Sequence, residues 1–162
     1  MELDAINWSI ISSLQENARA SYADIGRVVG LSAPAVAERM QKLEEAGIIK
    51  GYHIDLDYEK AGYALKAFIT FTAHSGKLMP FLKYVERINE VLECHRVTGS
   101  YCIFLKVVVK DSMQLEQMLT RFMEYGDTTT SIILSSPVIQ RIFSKPESQS
   151  TKTNRFAKVR QD

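Results

Sequence analysis

The chain has 162 residues, 46% hydrophobic and 24% charged, with a formal net charge of +1; that suits two small globular domains and excludes a disordered polymer. No apolar run approaches the roughly 20 residues of a bilayer crossing. The N-terminus opens into an acidic amphipathic stretch with no signal-peptide pattern, so the expectation is a cytoplasmic protein with no membrane partner.

From Leu3 to Leu14 the apolar residues Leu3, Ile6, Ile10 and Leu14 recur at spacings of three and four, which predicts a helix capped by Asp4. A second helix starts at Ser21, with Asp24 three residues on as in a capping box, and with Ile25, Val28 and Val29 as its apolar side. Gly30 stops it, since glycine accepts the left-handed conformation at a helix end.

Leu31 fills the turn that follows, Ser32 is a ready N-cap, and Pro34 is tolerated in a first helical turn. A third helix then runs to Ala46 and Gly47. Val36, Met40 and Leu43 fall on one face; Pro34, Ala35, Glu38, Gln41 and Lys42 point the other way, with Arg39 at the margin. Such a helix can enter a major groove. The small residues Ala33, Pro34 and Ala35 behind Ser32 let the backbone come close, and Arg39 and Lys42 reach phosphates or base edges. Glu38 fits either of two roles, acceptor from a cytosine amino group or ordinary solvated carboxylate. Three amphipathic helices with a glycine turn also occur in packing modules that never touch nucleic acid.

Charge weighs against tight binding. Residues 1–62 hold six Lys/Arg against ten Asp/Glu, a net −4; residues 63–143 hold nine against seven, a net +2; residues 144–162 hold five against two, a net +3. Any hold of the first segment on DNA must therefore rest on a few local cations and on multivalency.

The run LSAPAVAERMQKLEEAGIIKGY, residues 31–52, resembles the signature of the Lrp/AsnC family of bacterial and archaeal regulators in Ser32, Val36, Arg39, Leu43, Glu44, Gly47, Ile48, Ile49 and Tyr52. Leu3, Asp4, Ile10, Leu14 and Arg19 match as well. Asn7 departs from it, standing where the family usually has a second aspartate. The resemblance implies a transcription regulator that binds double-stranded DNA, acting as a homodimer or a larger even-numbered ring. Its fold would be α+β: a winged helix-turn-helix domain over residues 1–50, a linker strand over 51–62 and a ferredoxin-like domain of the RAM type over 63–143.

The residues agree with that outline. Tyr52, Ile54 and Leu56 alternate with His53, Asp55 and Asp57 as in a half-buried strand; the resemblance implies that it pairs with its counterpart in a second subunit. Beyond Gly62 the pattern predicts a strand (65–73), a helix (78–88), strands (91–97 and 102–109), a helix (112–125) and a strand (129–134), the βαββαβ order of a ferredoxin-like domain. Leu115, Met118, Leu119 and Phe122 form the core stripe of the second helix. Apolar residues fall on both faces of the central strands, with Ile69, Phe71, Val107 and Val109 alternating with Phe68 and Val108, so another subunit is the simplest cover for the face without helices.

Residues 95–109 resemble the family's effector segment, where a glycine followed three residues later by an aspartate helps to bind an amino acid between dimers. Gly99 matches, but Cys102 stands in the aspartate's place and removes a charge-assisted partner for an ammonium group. The candidate effector residues are Thr98, Gly99, Ser100, Tyr101 and Cys102 in the turn, with Thr130 and Ser131 on the last strand. A plain hairpin serving as an assembly contact is the alternative.

From Ser144 the chain is polar and basic and predicts a flexible tail. Cys94 and Cys102 read as free thiols, since two cysteines in apolar stretches make no disulfide framework. No phosphate loop, nucleophile elbow, HExxH pattern or zinc-spaced cluster is present. Cys94 and His95, adjacent on a strand, face opposite ways. The expectation is no metal, no cofactor and no catalytic residue; the competing class is an enzyme on the same scaffold, such as the sirohaem decarboxylases, whose fold resembles that of the Lrp family.

Overall fold

The computed structural model describes residues 2–139 and 142–143, so the basic segment beyond Phe143 lies outside the described residues. The chain divides into two units. The first runs to Ile54 and includes Ile142 and Phe143; the second is Asp55–Ile139.

The first unit holds three helices, α1 (Ala5–Glu16), α2 (Tyr22–Val29) and α3 (Ala33–Glu45). Each starts at a side chain that satisfies an unpaired amide. Asp4 accepts from the Asn7 N–H at 2.7 Å, Ser21 from Asp24, and Ser32 from Ala35. The Ser21 hydroxyl also donates to the Asp24 carboxylate at 2.6 Å, which ties the cap to the carboxylate expected three residues on. Gly30 sits at φ 71°, the left-handed stop expected of it. The core is Ile10, Ile25, Val36, Met40 and Leu43, with Leu3, Ile6, Leu14, Val29 and Leu31 packed around it.

Val28 is a correction to the expected apolar side of α2. It is 71% exposed, and Gly26 is the buried residue instead. A Cβ on Gly26 would lie 2.4 Å from the Leu31 carbonyl oxygen. The turn into α3 therefore closes over a glycine. Between α3 and Leu65 no strand is formed, so the anticipated wing is not seen there, and residues 51–57 have no strand pairing. Ile54 and Leu56 are exposed on that segment.

The second unit is β1 (Leu65–Ala73), α4 (Leu78–Val85), β2 (Val91–Arg96), β3 (Ile103–Val109), α5 (Ser112–Phe122) and β4 (Gly126–Ile132). The strands form one antiparallel sheet in the order β2-β3-β1-β4. The ferredoxin-like expectation holds. Ala67, Ile69, Phe71, Ile103, Leu105 and Val107 face the helices and pack with Phe81, Val85, Leu115, Met118 and Phe122. Phe81 is the keystone: its ring stacks on Phe71 at 3.7 Å and meets the edge of Phe122 at 5.0 Å. On the other face Phe68 and Phe104 touch at 5.1 Å, half-buried and without a covering helix.

Candidate nucleic-acid interface and effector turn

Helix α3 presents its first turn outward. Ser32 and Pro34 are exposed, Ala33 and Ala35 half-buried, and Glu38, Gln41 and Lys42 continue the exposed side while Val36, Met40 and Leu43 anchor the other. Nothing bulky projects from the capped end, so the free amides and their partial positive charge are accessible to an anion.

The cations on this unit are not idle. Lys42 donates to Glu38 at 2.6 Å along the helix, both side chains well exposed, and this lysine holds the Glu38 carboxyl below its ordinary value. Arg39 is engaged differently. Its Nη1 donates to Asp4 Oδ2 at 2.8 Å and to Asn7 Oδ1 at 2.9 Å. The middle of α3 and the start of α1 are thereby clamped together. The sequence alone points Arg39 at phosphates or base edges; in the structure its guanidinium is engaged by Asp4 and Asn7, and the side chain is only 30% exposed. Asn7, buried at 6% exposure, is the second acceptor for this guanidinium, at the position where the sequence departs from the family pattern. An amide oxygen accepts from a guanidinium without adding a second buried charge.

The Asn7 amide, then the Arg39 guanidinium, lowers the Asp4 carboxyl below the usual 3.8. A depressed carboxyl contributes stability that is present above its unfolded value and lost as the pH falls through the folded one. Arg39→Ala is therefore expected to lower the melting temperature of the helical unit by a few degrees above pH 3.8, with the difference from the parent protein shrinking below it. Thermal melts between about pH 3 and 6 check this; a difference independent of pH would remove Asp4 from the clamp.

Arg27 is paired with Asp24, while among the described residues Arg19 and Lys50 join no ion pair. Tyr52 donates to Glu44 at 2.8 Å, and partial burial, then that carboxylate, pushes its phenol up to about 12. The sequence shows Glu44 and Tyr52 as signature residues and Tyr52 as a strand position, but not the bond between them.

In the second unit Thr98, Gly99, Ser100 and Tyr101 form an exposed turn between β2 and β3, with Gly99 at φ 117°. Cys102 closes it from within. Its carbonyl accepts from the Val97 N–H, its own N–H donates to the Phe71 carbonyl at 3.0 Å, and its thiol donates to the same carbonyl at 3.2 Å while accepting from the Ala73 N–H at 3.1 Å. The sulfur is thus turned toward β1, away from the exposed turn. Thr130 and Ser131 are not brought to it within one chain. They pair with Ile69 and Phe68, so they face opposite sides of the sheet, and they lie beyond β1 from the turn. Glu93, Lys106 and His95 form a polar cluster on β2 and β3, with Lys106 donating to Glu93 at 2.9 Å. Among the described residues no group of three or more His, Cys, Asp or Glu could hold a metal ion, and no helix is long and apolar enough to cross a membrane.

A capped, outward-facing third helix in a trihelical unit, followed by a βαββαβ domain, defines a helix-turn-helix regulator with a separate second domain. Residues 3–44 match the AsnC-type helix-turn-helix domain and residues 66–154 the Lrp/AsnC ligand-binding domain. Over 127 residues the chain is 35% identical to the HTH-type transcriptional regulator LrpB of Bacillus subtilis, covering 78% of this chain and 85% of that protein. Over 145 residues it is 32% identical to the regulatory protein AsnC of Escherichia coli K12, covering 86% and 95%. The solved structure of Bacillus subtilis LrpC superposes with a TM-score of 0.81 at 31% identity, over 84% of this chain and 97% of that one. A transcriptional regulator of Neisseria meningitidis in complex with L-Met gives 0.81 at 26% identity, over 90% and 97%. The chain belongs to the Lrp/AsnC family of DNA-binding transcriptional regulators.

Proposed function

We propose that this protein is a sequence-specific regulator that reads DNA through the start of α3 and assembles in the cytoplasm as a homodimer or an even-numbered ring. The observation that carries the reading is the exposed, Ser32-capped first turn of α3. Ser32, Ala33, Pro34 and Ala35 approach the groove, Glu38 and Lys42 act farther along, and Arg39 positions the helix through α1. The acidic helical segment makes the grip of one copy weak, so two copies on successive half-sites supply the strength. The half-buried Phe68–Phe104 face is the surface we assign to assembly, since its aromatic pair has no helix over it.

The same reading assigns a small-molecule effector to the turn Thr98–Cys102. A site joining it to Thr130 and Ser131 would need more than one subunit. An amino acid is the candidate class, supported by the L-Met bound to the Neisseria regulator. With Cys102 turned inward, recognition of an ammonium group falls to the backbone carbonyls and hydroxyls of the turn.

Fragments selected from the source genome by the pure protein test the proposal. Binding is expected to be sequence-selective and to weaken as salt rises, and Lys42→Ala should weaken it by about tenfold or less, since one exposed contact is worth little more than ~1 kcal/mol. Absence of any selected sequence would sink the DNA reading, and a tetrapyrrole bound in place of DNA would favour an enzyme on this scaffold. Calorimetry with free amino acids tests the effector half; no heat with any of them removes it.

A further inference from the structure

Helix α1 carries a second contact surface besides its core side. Ile10 is fully buried, whereas Trp8 is half-buried and Gln15 exposed, and neither belongs to the core cluster. They are seven residues apart, two helical turns, and so share a face. On that face lies Phe143. The Gln15 side-chain amide donates to the Phe143 carbonyl at 2.9 Å and accepts from the Phe143 N–H at 2.8 Å. The Phe143 ring meets Trp8 at 6.0 Å, tilted by 51°, within the span of a favourable aromatic pair.

We propose that Ile142–Phe143 is a strap that closes on the Trp8–Gln15 face of α1, so that the chain, having left the helical unit after Ile54, engages it a second time. The reciprocal amide pair supports it most directly. A glutamine amide has an oxygen and an NH2 group, and here the two match the N–H and carbonyl of one residue, as a neighbouring strand would. That match recognises extended backbone, and the ring contact selects an aromatic residue at the position. Phe143 is nonetheless 67% exposed, so the strap is releasable where a core residue is not. Its seat is mechanically connected to the reading helix: α1 also supplies the Asp4 and Asn7 acceptors that hold Arg39 of α3. Steadying α1 therefore steadies the clamp.

Trp8 is the only tryptophan of the chain, which makes its fluorescence a direct reporter in the full-length protein. Acrylamide quenching of Trp8 is expected to rise about 1.5- to 2-fold in Phe143→Ala and in Gln15→Ala, and to stay at the parent value in Phe143→Tyr, as loss of a local, weakly held contact predicts. Unchanged helical circular dichroism and melting of the helical unit, to which Gln15 and Phe143 both belong, would confirm that the variants remain folded. Equal quenching in parent, Phe143→Ala and Gln15→Ala overturns the strap. A quenching difference that vanishes on dilution also overturns it as an intrachain contact, because Phe143 would then come from a second copy. Since this readout needs no DNA, it fails or succeeds independently of the regulator reading.

Discussion

Gly26→Ala is expected to remove a large share of the stability of the helical unit while leaving the second unit intact. Two effects oppose each other. Alanine is the better helix former by about 1 kcal/mol, and on an open helix the change would stabilise. Here the new methyl would lie 2.4 Å from the Leu31 carbonyl oxygen, a backbone atom that cannot rotate away. Making room means moving the turn between α2 and α3, at a cost of about 3 kcal/mol, the upper end of the overpacking range, because the obstacle is backbone. A trihelical core of this size rarely supplies more than about 3–5 kcal/mol. The clash therefore decides the outcome. The melting temperature of the helical unit, read by helical circular dichroism and by the red shift of Trp8 emission, should fall by roughly ten degrees, with DNA binding lost at the lower temperature and the transition of the second unit unchanged. A melting temperature equal to or above the parent's would show that the turn adapts cheaply and would refute the close-approach account.

The second large effect is expected at Phe81→Ala. This side chain is fully buried, with one face stacked on Phe71 and its surroundings closed by Phe122 and Tyr125. Truncation leaves a cavity that the strands on one side and α5 on the other cannot both fill, at a cost of about 3–5 kcal/mol. For a unit of this size the melting temperature should fall by roughly 15 °C or more. The helical unit has its own core and should keep its transition, so the two variants together separate the melting of the two units. A fall of only a degree or two would mean that Leu82 or Tyr84 collapses into the space.

Much of this architecture was legible because local chemistry and tertiary structure agree. Asp4, Ser21 and Ser32 are caps in sequence and in space, and β1 falls on the expected Leu65–Ala73, where alternation and β-branched or aromatic residues coincide. β4 is displaced from 129–134 to Gly126–Ile132. Gly126 and Asp127 have no strand propensity, yet Gly126 must lie against Thr72, whose carbonyl would be 2.2 Å from any Cβ there. Helix α4 stops at Val85 rather than continuing to residue 88, because the amides of Arg87 and Ile88 bond three residues back and tighten the end. The exposed face of α3 was readable from its period. The engagement of Arg39 was not, since its partners are 35 and 32 residues away and only packing of α1 against α3 brings them together. Neither was the inward turn of Cys102, whose partners belong to β1.

The pairing of Lys42 with Glu38 bears on how the protein would search a genome. On the proposed reading of α3, a phosphate meeting that ammonium would compete with an exposed carboxylate already beside it, so random duplex would gain little there. Encounters at the wrong place would then be brief, and the molecule would return to solution instead of lingering along nonspecific stretches. Occupancy of the correct place would be left to shape, to base edges and to the number of copies bound side by side.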